Sequence, residues 1–374
     1  MSKGTALLLV VVFAAASTIV INSVSSSDQP RENTWVSKAP MPTARTALLA
    51  VVDGKIYAIG GNDSGTNEMY DPATDTWTTK APMPTPRNFF GMAVYENKIY
   101  CIGGTRYSGT GLNYVRYTTN EVYDPSTDTW ETKAPMVTAR WYLQANTVND
   151  KIYLMGGVPN RSINEAYDPV ANCYTTKAPI PFAKTDDPQG VGIEAASAVF
   201  DDKIYWIGGL NQVYNPNNNS WSLAHGINIS PTGAGVTTGE WAPKRIYVFG
   251  DGEANFAYDP ASDKWDNAHR MLWPRSELGV AVINDTLYVI GGHYFRSSSA
   301  ANEQYIPLGY GTPDPTYPSP TPSPSPSPSP TPTLSPSPSP IIIIIGLAAL
   351  AVVIGLLVYF SKHKGFSLKT NSKV

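Results

Sequence analysis

One phrase recurs between residues 55 and 292: Lys55-Ile-Tyr-Ala-Ile-Gly-Gly61, Lys98-Ile-Tyr-Cys-Ile-Gly-Gly104, Lys151-Ile-Tyr-Leu-Met-Gly-Gly157, Lys203-Ile-Tyr-Trp-Ile-Gly-Gly209 and Thr286-Leu-Tyr-Val-Ile-Gly-Gly292. A degenerate sixth copy ends in Gly250-Asp251. From first glycine to first glycine the spacings are 43, 53, 52, 42 and 41 residues. A unit of this size cannot bury a core alone, so the chain is constrained to an array in which each unit packs against its neighbours.

Each unit reads as four short strands, called a to d below. Strand a is an apolar stretch behind a basic residue, as in Arg87-Asn-Phe-Phe-Gly-Met-Ala-Val-Tyr95. A polar turn such as Asp53-Gly54, Glu96-Asn97 or Asp201-Asp202 leads into strand b, the Ile-Tyr phrase itself. Strand c ends in Tyr-Asp-Pro at Tyr70, Tyr123, Tyr167 and Tyr258, and in Tyr-Asn-Pro at Tyr214. Strand d opens on Trp77, Trp130, Tyr174, Trp221 or Trp265. These aromatics suit the wedge between units. The glycine pairs suit backbone that must bend or approach closely without a Cβ, and the Asp/Asn-Pro steps suit turn entry.

The ordered set of arginine, Gly-Gly, glutamate, Tyr-Asp-Pro and tryptophan resembles the kelch repeat over residues 33–307. The resemblance implies an all-β, six-bladed kelch-type β-propeller with four-stranded blades. Asn33-Thr-Trp35 looks like a strand d with nothing before it, whereas the last unit passes from Tyr305-Ile-Pro307 into Gly/Pro/Ser sequence with no strand d. The first strand is therefore expected to complete the last blade and close the ring, which removes an exposed edge.

The flanks carry different signals. Residues 1–27 contain Lys3 and an apolar run from Ala6 to Ile21, the pattern of a secretory signal peptide or an uncleaved anchor. The propeller is placed at 28–311. Residues 312–340 are mostly alternating Pro and Ser/Thr, a polyproline II stalk reaching on the order of 90 Å at about 3.1 Å per residue. Residues 341–360 are uncharged and apolar or small, matching a bilayer core, and the lysine-bearing tail 361–374 marks the cytoplasmic side. With a cleaved signal this is a single-pass type I protein of the cell membrane with an extracellular propeller.

The net charge of −3, with Lys362, Lys364, Lys369 and Lys373 all in the tail, argues against a nucleic-acid partner, which needs a concentrated basic face. Two cysteines, Cys101 and Cys173, make no disulfide framework, and both are read as packing residues. Sequons at Asn62, Asn160, Asn218, Asn228 and Asn284 permit glycosylation without requiring it.

Because strands alternate in direction, the d-to-a and b-to-c connections share one face, and that face carries the large insertions. Arg106, Tyr107, Tyr114, Arg116 and Tyr117 lie in the b-to-c loop of the second blade; His293, Tyr294 and Arg296 lie in that of the sixth. This Tyr/Arg mixture is of the kind enriched at binding hot spots, and the alternative role is simply to cover the propeller. Arg45, Arg87, Arg140, Lys184 and Arg275 enter strand a at the same face and suit either an acidic ligand or packing between blades. Asp186, Asp187 and Glu194 form an acidic cluster in the fourth blade.

Kelch propellers include enzymes. A copper oxidase resembling galactose oxidase needs converging His, Tyr and Cys, whereas His225, His269 and His293 sit at unrelated blade positions. A sugar mutarotase resembling the sialate epimerases needs an acid/base carboxylate near an arginine, with Glu194 or Asp187 beside Arg140 as the candidate set. The preferred expectation is a cell-surface binding or adhesion module, not an enzyme, with no cofactor or metal and with an extracellular protein or glycan as partner.

Overall fold

Each Ile-Tyr phrase becomes the second strand of a four-stranded antiparallel sheet. In the first blade the order is Leu48–Val52, Lys55–Ile59, Asn67–Asp71, Thr76–Thr79 from the axis outward. The computed structural model describes residues 30–312 apart from 110–113, 183–194, 209 and 296. The expected leader, most of the stalk, the membrane segment and the tail lie outside the described residues.

Six such sheets are present among the described residues. Their a strands, Leu48–Val52, Gly91–Tyr95, Gln144–Val148, Ala196–Phe200, Pro231–Val236 and Gly279–Ile283, touch in sequence and close on the first. The ring is closed at its outer edge by Thr34–Ser37, which pairs antiparallel with Asn302–Ile306 and sets Trp35 opposite Tyr305. Between each pair of blades lies one apolar cluster; Ile56 and Tyr70 of the first blade, for example, pack with Tyr288 and Ile290 of the sixth.

The strand-c tyrosine and strand-d tryptophan do more than fill these wedges. The Tyr70 hydroxyl donates to Asp75 Oδ1 at 2.6 Å, and the same oxygen accepts the Ala39 amide at 2.8 Å. Trp77 Nε1 donates to the Ala39 carbonyl at 2.9 Å. Each blade thus grips the backbone leading into it, and Asp75 holds the grip from a left-handed turn position with φ 54°, which Asp and Asn tolerate better than most residues. The arrangement repeats with Tyr123, Asp128 and Trp130 on Ala81, and with Tyr258, Asp263 and Trp265 on His225. In the sixth blade the acceptor is Asn33 and the indole is Trp35, both from the N-terminal strand: Tyr305 donates to Asn33 at 2.7 Å, and Trp35 donates to the His269 carbonyl at 3.0 Å. Closure therefore uses the same clasp as every other junction.

The tyrosine hydroxyl, followed by the backbone amide, holds Asp75 and Asp263 below the usual carboxylate range; the Tyr123 hydroxyl is the main cause for Asp128. A depressed carboxylate contributes stability that is present above its unfolded pKa and lost as pH falls through the lower folded value. The third and fourth blades already use Asn172 and Asn219 in this role. Replacing Asp75, Asp128 and Asp263 together by Asn is expected to shift the acid unfolding midpoint to lower pH with little effect at neutral pH. An unchanged acid midpoint followed by circular dichroism would contradict the clasp as a source of acid sensitivity.

The face opposite the large loops also carries one long connection. The a-to-b connection of the fifth blade, residues 237–245, is folded around Asp285, whose carboxylate accepts the backbone amides of Thr238, Trp241 and Ala242. The chain leaves the last blade on this face. After Ile306 it turns against the 237–245 connection, with Gly311 N donating to the Trp241 carbonyl at 2.7 Å.

Candidate functional site

The arginines entering strand a are not available to a ligand. Arg45, Arg87 and Arg140 are fully buried and Arg275 nearly so, paired with Glu68, Glu121, Glu165 and Glu303 of strand c. Arg45 Nε also donates to the Gly60 carbonyl at 2.9 Å and Nη2 to that of Ala58 at 2.9 Å, so the guanidinium ties strand b to strand c within its own blade. The Gly-Gly step allows this approach: a Cβ on Gly61 would lie 1.9 Å from the Thr46 carbonyl oxygen, and its φ is +90°. Of the two roles open to these residues, an acidic ligand or packing between blades, the four described arginines take neither as stated: they are internal ties within their own blades. Burial lowers the pKa of Arg45, Arg140 and Arg275 from the usual value, opposed by their glutamates. The mutarotase candidate set loses Arg140 for the same reason, while Asp187 and Glu194, like Lys184 and Asp186, lie outside the described residues.

Cysteine roles divide. Cys101 is buried in the wedge between the first two blades, where burial pushes its thiol up to about 12. Cys173, expected to pack, is instead exposed, because it opens an outer strand; both thiols are free.

The second-blade loop forms a hairpin of its own, Thr105–Tyr107 paired with Tyr114–Arg116. Arg106, Tyr107, Tyr114 and Arg116 are exposed on it, and Tyr117 is half-buried at its base. The sixth-blade loop is a smaller hairpin, His293–Tyr294 with Ser297–Ser298; Tyr294 is exposed, His293 is half-buried, and Arg296 lies outside the described residues. The first blade links the two: Asp63 Oδ1 accepts the Tyr107 amide at 3.2 Å, and Asn62 Nδ2 meets Ser298 Oγ at 3.1 Å. Asn62 is thus one of the sequon asparagines already engaged by a neighbouring loop.

Sequence reasoning missed the residues that extend this surface to the axis. Tyr107 and Tyr114 meet edge to face at 5.8 Å, Tyr114 stacks on Trp141 at 5.4 Å, Trp141 stacks on Tyr142 at 4.6 Å, and Tyr142 meets Phe89 at 4.1 Å. The Tyr142 hydroxyl donates across the ring from the third blade to Glu277 Oε1 of the sixth at 3.1 Å. Glu277 Oε2 lies 3.5 Å from His293 Nδ1, and His293 Nε2 is 3.2 Å from Ser298 Oγ. Burial first, and then the charge of Glu277, raise the Tyr142 phenol above its ordinary value, so it remains a donor. The result is a continuous arc from the second-blade hairpin through the third blade to the sixth.

Phe89, Tyr142 and Glu277 occupy the same place in three blades, two residues past the buried arginine, with φ of 51°, 56° and 51°. Bulky residues in this region cost about 1–3 kcal/mol each and are retained where surrounding contacts or function require them. The signal in the sequence was variation: this position reads Ala47, Phe89, Tyr142 and Glu277 while the arginine before it repeats. Beneath it the a strands enclose a cavity of about 190 Å³, with Phe89, Asn146, Ser197 and Glu277 in its wall. Among the described residues no group of His, Cys, Asp and Glu could hold a metal ion.

The kelch motif model matches residues 45–84, 86–137 and 274–309, covering most of the first, second and sixth blades. Kelch-like protein 23 of Homo sapiens is 29% identical over 235 residues, 59% of this chain and 40% of its own length. Together with the six blades, these matches decide the family. The chain is a kelch-repeat protein. Kelch-like protein 15 of Mus musculus is 23% identical over 291 residues, 67% of this chain and 47% of its own length. Beta-scruin of Limulus polyphemus is 35% identical over 133 residues, 33% of this chain and 14% of its own length. This kelch chain therefore spans less than half the length of these relatives. A solved structure described as "Structure of YjhT" superposes with a TM-score of 0.59 at 16% identity, covering 71% of this chain and 95% of the other, and shares the fold. The third, fourth and fifth blades lie outside the motif matches; of these the third keeps the arginine-paired glutamate, Glu165, whereas the fourth and fifth have Gln212 and Phe256 there.

Proposed function

We propose that this kelch propeller is a cell-surface binding or adhesion module that recognises an extracellular protein or glycan through its loop face. The observation that carries the reading is the arc from Tyr107 to Glu277, whose outer end sets the exposed Tyr107 and Tyr114 beside the exposed Arg106 and Arg116, on the face opposite the chain's exit at residues 307–312. Tyrosine and tryptophan supply contact area at low entropic cost, and arginine supplies directional hydrogen bonds. Binding rather than catalysis fits the withdrawal of the strand-a arginines into internal ion pairs.

Protease added to intact cells is expected to release a soluble propeller by cutting near residues 312–340, and the released fragment should bind selectively on protein and glycan arrays without turnover. A propeller protected from protease while the 361–374 tail is digested would overturn the orientation. Turnover of an array sugar would overturn the non-enzymatic reading.

A further inference from the structure

We infer that the mouth of the central channel is a site for a cationic group, a primary ammonium on an alkyl stem of the kind a lysine side chain presents, held by Glu277. The inference rests on the loop face being the binding face and names the chemistry its centre would recognise. Its basis is a contrast among carboxylates. Glu68, Glu121, Glu165 and Glu303 each have a buried arginine as partner. Glu277 faces the cavity with no arginine or lysine paired to it among the described residues; its neighbours are the Tyr142 hydroxyl at 3.1 Å and the His293 ring at 3.5 Å. Neither a phenol nor an imidazole is a permanent cation, so the carboxylate is oriented and hydrogen-bonded but its charge is not matched as the others are.

The surroundings fit an alkylammonium better than a compact ion. Leu48, Phe89, Leu143 and Leu278 line the cavity together with the polar Gln144, Asn146, Ser197 and Thr232. A lysine-type group buries its methylenes along such a wall while its charged head meets the carboxylate. A cavity of about 150 Å³ holds a benzene-sized molecule, so the volume here of about 190 Å³ is sufficient. An acidic sugar or peptide is disfavoured at this point, because the described arginines that could receive it are already engaged with glutamates.

The test is calorimetric titration of the full-length chain in neutral detergent with n-butylamine, n-butanol and D-galactose. Butylamine should bind at one site, at least ten-fold tighter than butanol or galactose, and Glu277→Gln should weaken it at least ten-fold with the melting temperature retained. Glu277→Gly, which removes the carboxylate and relieves the backbone, should fold at least as well and also lose the amine. Equal binding of butanol, or butylamine affinity unchanged in both variants, would overturn the inference. Amine binding lost in both variants, from a protein that recognises nothing on protein or glycan arrays, supports the site and overturns only the adhesion reading. Array binding that is unaffected by either variant in a protein that ignores butylamine does the reverse.

Discussion

Replacing Asn33 and Trp35 with alanine is expected to destabilise the whole propeller by about 4 kcal/mol, a fall of about 10 °C in melting temperature. Trp35 packs between Phe249 and Tyr305 at ring distances of 6.0 and 5.0 Å and donates to the His269 carbonyl. Asn33 accepts both the Tyr305 hydroxyl at 2.7 Å and the His269 amide at 2.8 Å. Their loss removes the side-chain clasp that holds the N-terminal strand on the sixth blade and grips the backbone at His269, so the effect is on ring closure and not on one strand alone. Trp273 serves as the control: it is 66% exposed, and its replacement by alanine should change stability by less than about 0.5 kcal/mol. Equal melting temperatures for the Asn33/Trp35 variant and the wild type would show that the ring does not depend on its N-terminal strand.

The second large effect concerns the buried ion pairs. Glu121→Ala should cost about 3–5 kcal/mol, because it leaves the fully buried Arg87 guanidinium without its carboxylate. Arg87→Met combined with Glu121→Leu should recover most of that loss, since replacing both partners by apolar groups of similar size is often neutral or stabilising. The fifth blade offers a natural precedent, with Phe256 in the glutamate position and no arginine ahead of its strand a. Denaturant unfolding separates the cases: a double variant no more stable than Glu121→Ala would mean that the pair contributes specific hydrogen bonds to Gly103 and Cys101 that packing cannot replace.

The blades were legible because their most demanding positions repeat. Gly-Gly, Tyr-Asp-Pro and the tryptophan each answer a local constraint that recurs in most blades, and the missing strand d at one end matched the lone Trp35 at the other. The role of the arginines was not legible from residue type, because the same guanidinium suits an acidic ligand and an internal carboxylate. Its partner was nevertheless in the repeat, as the glutamate of Asn67-Glu68, Asn120-Glu121, Asn164-Glu165 and Asn302-Glu303. The blade without an arginine is also one without that glutamate, and this covariation within one chain was the available signal. The hairpin aromatics Tyr107 and Tyr114 stood out as insertions. Trp141, Tyr142 and Glu277 did not, since they sit where strand a begins; the left-handed backbone of Tyr142 and Glu277 and the stacking of Trp141 between Tyr114 and Tyr142 place them at the channel mouth and not in the sheet.

The loop face is tested most directly on the full chain displayed on cells, by measuring its affinity for whatever array ligand the released propeller selects. Tyr107→Ala with Arg116→Ala on the loop face should weaken binding by about 2 kcal/mol or more, whereas Trp241→Ala on the opposite face should leave it unchanged, with all variants equally folded. Binding lost on changing Trp241 but retained without Tyr107 and Arg116 would contradict the account.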